Sequence, residues 1–138
     1  MGAGIAKRLA NAGHDVTVWN RTIEKARALG LPHVDTPRAL AERSDVLLTM
    51  LTNTQAIESI ADDVIAGLRE GAIWADLSTV APDASVALAE RVRARGAFFL
   101  DCPVSGSPAT LAAGQLSVMV GGRRSIASRT CCTRSARR

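Results

Sequence analysis

The stretch 1-MGAGIAKRLANAGHDVTVWNRT-22 decides the fold. Ile5, Leu9 and Ala12 recur on one helical face, with Lys7, Arg8 and Asn11 turned elsewhere. Gly13 suits the left-handed residue that closes such a helix. Residues 15-DVTVW-19 follow as a strand with two valines and an aromatic. A glycine-opened helix, a Gly-His turn and a strand form the middle of a nucleotide-binding unit, whose helix greets a phosphate delivered by a preceding strand and glycine loop. A G-x-G reading of Gly2 and Gly4 would need a third glycine at position 7, where Lys7 stands. Gly2 is better read as the third glycine itself. Motif spacing then puts the first two about three and six residues earlier, so the first strand and its glycines are expected to be lacking.

The pattern continues outward. Residues 22–30 read as a helix stopped by Gly30 and Pro32, and 33-HV-34 as a short strand. Thr36 and Pro37 read as the cap and first position of a helix. The apolar run 45-DVLLTML-51 reads as a strand buried on both faces. Then come a helix over 54–68, a strand over 72–77, a helix over 81–96 and a strand over 97–101. A loop over 102–114 with room for one helical turn precedes a last strand over 115–122. Strands alternating with helices mean an α/β fold, a doubly wound parallel sheet. In such folds ligands bind beyond the carboxyl ends of the strands. Those ends are residues 20–22, 50–52, 76–79 and 101–103.

The net charge of +4 over 138 residues suggests a nucleic-acid binder until it is mapped. The last 16 residues hold six Arg and no acid, which leaves 11 basic against 13 acidic residues in 1–122. With aromatics at 3%, that body offers neither a phosphate-tracking stripe nor stacking platforms, and nucleic acid is not an expected partner. Two units are expected: a partial dinucleotide-binding domain over 1–122 and a basic, disordered tail over 123–138. No apolar run is long enough for a membrane span and no signal-peptide pattern is present, so the location is read as cytoplasmic. Cys102, Cys131 and Cys132 form neither a disulfide framework nor a zinc motif, and His33 has no ligand partner at metal spacing. No metal site is expected. Cys102 reads as a small buried apolar group rather than a nucleophile.

The cofactor-reading position lies about 20 residues beyond the glycines. An acid there would grip the ribose 2′-hydroxyl of NAD. Asn20, Arg21 and Thr22 stand there instead, and a guanidinium beside a hydroxyl suits the 2′-phosphate of NADP. Lys25 lies one turn on.

Together with residues 1–22, the blocks 76-DLSTVAP-82 and 98-FFLDCPVSGSPATLAAGQLSVMVGG-122 resemble the β-hydroxyacid dehydrogenase family, which includes 3-hydroxyisobutyrate dehydrogenase and, more distantly, 6-phosphogluconate dehydrogenase. The resemblance implies a Rossmann-like NADP-binding domain. It implies that Gly2 sits at the pyrophosphate, that Arg21 and Thr22 hold the 2′-phosphate beside Asn20, that Leu51 and Thr52 line the cofactor, and that Thr79 lies near the nicotinamide. Ser105 and Gly106 would bind a substrate carboxylate, with Ser107 replacing a usual glycine and narrowing that pocket. The implied substrate is a small hydroxy acid or semialdehyde, and an oligomer is possible. The family's all-helical domain, which carries its proton-transferring lysine, is expected to be lacking, so no catalytic residue is assigned and the isolated chain is expected to be catalytically silent. The alternatives are an imine reductase-like fragment, or a non-catalytic remnant with a nucleic-acid-binding tail.

Overall fold

The computed structural model describes residues 1–121. The tail expected over 123–138, Cys131 and Cys132 included, lies outside the described residues. Three helices come first, α1 (Gly2–Asn11), α2 (Ile23–Arg27) and α3 (Pro37–Arg43), followed by β1 (Val46–Thr49), α4 (Thr54–Gly67) and β2 (Ile73–Asp76). Next are α5 (Pro82–Ala94), β3 (Phe98–Asp101), β4 (Val104–Ser105), α6 (Pro108–Ala112) and β5 (Ser117–Val118). Strands β1, β2 and β3 form a parallel sheet in that order, and β4 pairs antiparallel with β5. The architecture is the expected α/β one, Rossmann-like, with helices on both faces of a parallel sheet.

Local chemistry starts the helices where the sequence predicts. The Thr36 hydroxyl accepts the Ala39 N–H at 3.1 Å, with Pro37 as the first helical residue. Asn53 does the same for α4, its side chain accepting the Ala56 N–H at 2.9 Å. Each cap satisfies a backbone donor that the first turn cannot. Gly13 has φ +88°, the left-handed exit expected of α1.

Successive residues on a strand face opposite ways. Leu47 and Trp74 face the main core, where Ile57, Ala61 and Val64 of α4 and Leu88 and Val92 of α5 bury them. Phe99, next in register, meets Trp74 edge-on at 5.4 Å between ring centroids. On the opposite face Ala75, Leu77 and Cys102 pack with Ile5 of α1, Met50, Leu100 and Val104. Cys102 is therefore a small buried group, as read from the sequence.

Three strand expectations change. Strand β1 is not buried on both faces: Val46 and Leu48 are exposed while Leu47 and Thr49 are buried. The apolar cluster on the α1 side is built around Ala75, Leu77 and Cys102 and includes neither Val46 nor Leu48 of β1, which lies at the edge of the three-stranded sheet. Residues 15–19 and 33–34 do not form strands. They meet in one parallel bridge, Val18 to His33, because among the described residues no strand lies beside Val18 to extend a ladder. The last segment turns back antiparallel, as β5 against β4 and as a bridge between Gly121 and Asp101. The loop expected at 102–114 holds β4 and α6.

Helices α3 and α4 approach most closely at Gly67. A Cβ there would lie 2.5 Å from the Arg38 carbonyl oxygen and 3.0 Å from the Ala41 Cβ. Gly→Ala within a helix ordinarily gains up to about 1 kcal/mol, but overpacking against rigid backbone costs about 1–3 kcal/mol. Gly67→Ala is expected to lower the urea midpoint. A raised midpoint would show that the two helices separate easily.

Candidate functional site

The first turn of α1 has no side-chain cap, so no capping side chain takes up its leading N–H groups. Gly2 faces Met50, the residue directly after β1, and a Cβ on Gly2 would stand 3.4 Å from the Met50 Cβ. The helix start therefore lies against the end of β1, at ordinary contact distance. Aligned N–H groups and the helix dipole make such an end attractive to phosphate.

The loops after β1 and β2 are tied together. The Leu51 N–H donates to the Ser78 hydroxyl at 2.8 Å, and the Ala81 N–H donates to the Thr54 hydroxyl at 2.9 Å. Leu51 is half-buried, and Thr52 and Thr79 are exposed. The structure thus brings Gly2, Leu51, Thr52 and Thr79 to one end of the sheet. Asn20, Arg21 and Thr22 form an exposed turn between the Val18 bridge and α2, with the Asn20 carboxamide oxygen accepting the Thr22 N–H at 2.9 Å. That bond holds the turn in shape. No acidic side chain occurs within it.

Beneath the loops lies a polar cluster that the sequence reading missed. Asp76 and Ser78 are fully buried and Thr49 nearly so. Oδ1 of Asp76 accepts the Thr49 hydroxyl at 2.7 Å, the Ser78 hydroxyl at 2.6 Å and the Ser78 N–H at 3.1 Å. Thr49 in turn accepts the Trp74 indole N–H at 3.0 Å. Asp76 Oδ2 is buried without a hydrogen-bond partner. The available signal was a pair of polar residues, Asp76 and Ser78, on either side of Leu77 at an otherwise apolar strand end.

Asp101 follows Asp76 in register on β3. Burial, and then the Asp76 carboxylate beside it, push the Asp101 carboxyl above its ordinary value of 3.8.

Ser105 and Gly106 lie exposed at the end of β4. Gly106 has φ +146°, and a Cβ there would meet the Thr110 hydroxyl at 2.5 Å and a Leu116 methyl at 2.8 Å. Only glycine fits. Ser107, next to Gly106, has a structural part of its own. It caps α6: its side chain accepts the Thr110 N–H at 3.2 Å and its own N–H donates to the Thr110 hydroxyl at 2.7 Å. Helix α6 then docks on α1, where a Cβ on Gly4 would come within 2.7 Å of Leu111. Arg8 donates to the Leu111 and Ala112 carbonyls at 3.4 and 3.3 Å. Helix α1 and the Ser105–Gly106 loop are therefore braced against each other through α6.

Comparison with known proteins accords with this geometry. The family model of the NAD binding domain of 6-phosphogluconate dehydrogenase matches residues 1–131. The chain belongs to that family. An Arabidopsis thaliana protein named "Probable 3-hydroxyisobutyrate dehydrogenase-like 1, mitochondrial" is 33% identical over 136 residues, covering 94% of this chain and 41% of its own. The solved 3-hydroxyisobutyrate dehydrogenase of Mycobacterium tuberculosis, with L-serine, is 29% identical with a TM-score of 0.86, over 94% of this chain and 46% of that one. A structure titled Psf3 in complex with NADP+ and 2-OPP is 32% identical with a TM-score of 0.87, over 98% of this chain and 49% of that one. The chain spans less than half the length of the curated relative named here. It is an NAD(P)-binding domain of the kind found in 3-hydroxyisobutyrate dehydrogenase-like oxidoreductases. Among the described residues no helix is long and apolar enough to cross a membrane, and no group of three or more His, Cys, Asp or Glu could hold a metal ion.

The raised Asp101 value has a stability consequence. The folded chain holds this proton more tightly than the unfolded chain, so stability is lost as pH rises from 3.8 through the raised folded value. Asp101→Asn should melt above wild type at pH 7, with the gap closing as pH falls to 3.8 and below. Equal melting temperatures at pH 7 would contradict the assignment.

Proposed function

We propose that this chain binds NADP(H) in preference to NAD(H), as the cofactor half of an oxidoreductase acting on a small β-hydroxy acid or semialdehyde. One observation carries the reading: the uncapped start of α1 is seated on Met50 at the carboxyl end of the sheet, beside the tied loops that carry Leu51, Thr52 and Thr79. The residues fit a dinucleotide. Gly2 keeps the α1 start open for the pyrophosphate, and Leu51 and Thr52 would flank the cofactor. Thr79 would stand toward the nicotinamide, which supplies or accepts hydride when bound. Arg21, with Thr22 and Asn20, would hold the 2′-phosphate, where a guanidinium offers paired donors and an acid would repel.

The Ser105 hydroxyl and the Gly106 N–H would receive the substrate carboxylate. Ser107 stays with its cap. The chain's lysines, Lys7 and Lys25, are exposed on α1 and α2, and neither is assigned a catalytic part. The NADP+ complex of one structural relative supports the cofactor choice. The L-serine in the mycobacterial dehydrogenase, a small hydroxy amino acid, supports the substrate class. A cytoplasmic location remains part of this reading.

Titration of NADPH and NADH into the 138-residue chain tests the cofactor choice. Wild type should favour NADPH. Arg21→Ala should remove a charge-assisted contact of about 1.5–3 kcal/mol, a roughly 10- to 150-fold loss confined to NADPH. Equal affinity of wild type for the two nucleotides would sink the idea.

A further inference from the structure

Thr49, Asp76 and Ser78 are buried beneath the cofactor loops, and a bound molecule would meet Leu51, Thr52 and Thr79 instead. One of them, Ser78, nonetheless reaches those loops by a hydrogen bond. A serine hydroxyl has one proton to give. Ser78 gives it to Asp76 Oδ1 at 2.6 Å, so only its lone pairs face outward, and one of them takes the Leu51 N–H at 2.8 Å. Asp76 is fixed in turn by the Thr49 hydroxyl at 2.7 Å, and Thr49 by the Trp74 indole at 3.0 Å. The result is a single directed chain across two strands, Trp74 to Thr49 to Asp76, met from the other side by Leu51 to Ser78 to Asp76. Its outer end is the backbone of the loop after β1, and Ser78 itself adjoins Thr79.

We infer that Asp76 and Ser78 are positioning residues for the nicotinamide cofactor. Asp76 orients the Ser78 hydroxyl, and Ser78 holds the Leu51 backbone, so that Leu51–Thr52 and Thr79 form one preset surface. This rests on the reading of the chain as a dinucleotide binder. Without the chain of bonds the Leu51 loop must be ordered at the moment of binding, and affinity falls by that ordering cost.

The test combines NADPH titration with amide hydrogen exchange on the full chain, using Ser78→Ala, Asp76→Ala and Asp76→Asn. Asn keeps the acceptor that Ser78 and Thr49 need. Ser78→Ala and Asp76→Ala should each weaken NADPH binding about five- to tenfold, the worth of one hydrogen bond. The double variant should be no worse than either single one. Asp76→Asn should restore most of the affinity. Before any nucleotide is added, the Leu51 amide should exchange faster in the two Ala variants. The ladder amides of Leu77 and Cys102, which donate to the Thr49 and Asp76 carbonyls at 2.8 and 2.7 Å, should stay slow and show that the sheet is intact. If Ser78→Ala does not fold, Ser78→Cys keeps the volume with a weaker acceptor and should show the same pattern in milder form. Wild type that fails to bind NADPH overturns the functional reading and this inference with it. Wild type that binds, with Ser78 variants binding as tightly, overturns the inference alone, as does an unchanged Leu51 exchange rate.

Discussion

Burying a carboxylate costs of order several kcal/mol unless donors surround it, and Asp76 ends the central strand of the sheet with no exposure. Its Oδ1 is met by three donors, which obliges Thr49 and Ser78 to be polar and to point inward. That obligation sets the register between β1 and β2 at their carboxyl ends, since Thr49 pairs with Asp76 there. A slip of one residue would put Leu48 against the carboxylate and turn Thr49 to the other face. The loops that follow inherit their positions from this row. The unpartnered Oδ2 is what that burial costs, while the Asp101 carboxyl is raised first by its own burial and then by the Asp76 charge beside it.

A second constraint comes from close packing of small residues. The start of α1 lies against Met50 at Gly2, and Gly4 lets the same helix approach Leu111 of α6. Arg8 adds hydrogen bonds to the last carbonyls of α6, where a cation also suits the helix dipole. The capping box of Ser107 and Thr110 fixes where α6 begins, and therefore where Ser105 and Gly106 stand. Helix α1 is thus shared between the carboxyl end of the sheet and the loop after β4. Substitutions at Gly4 or Leu111 would disturb both at once.

The sequence made the helices legible because their signals are local. Thr36–Pro37 and the spacing of Ile57, Ala61 and Val64 need no distant partner to be read. Strands were less legible because a ladder exists only with its neighbour. Residues 15–19 carry strand composition yet form a single bridge. In β1, four apolar or small residues in a row could not show that Val46 and Leu48 would stay exposed, because that depends on what packs over an edge strand. Gly2, Leu51 and Thr79 were singled out through motif and family resemblance, and the structure stands them at one end of the sheet. The Thr49–Asp76–Ser78 row was not, since it is assembled from two strands 27 residues apart. The capping part of Ser107 was not legible either, since it appears only with the Thr110 side chain folded back on it.

The central claim is that the carboxyl end of this sheet, with the α1 start and the Asn20–Thr22 turn, forms a single nucleotide site. Mapping backbone amide resonances of the isotope-labelled chain during addition of NADPH tests it most directly. The account predicts saturating shifts at Gly2, Arg21, Thr22, Leu51, Thr52 and Thr79, with Val46, Val86 and Phe98 unmoved. Shifts centred on the exposed row at the amino ends of β1 and β3, or none at those six residues, would contradict it.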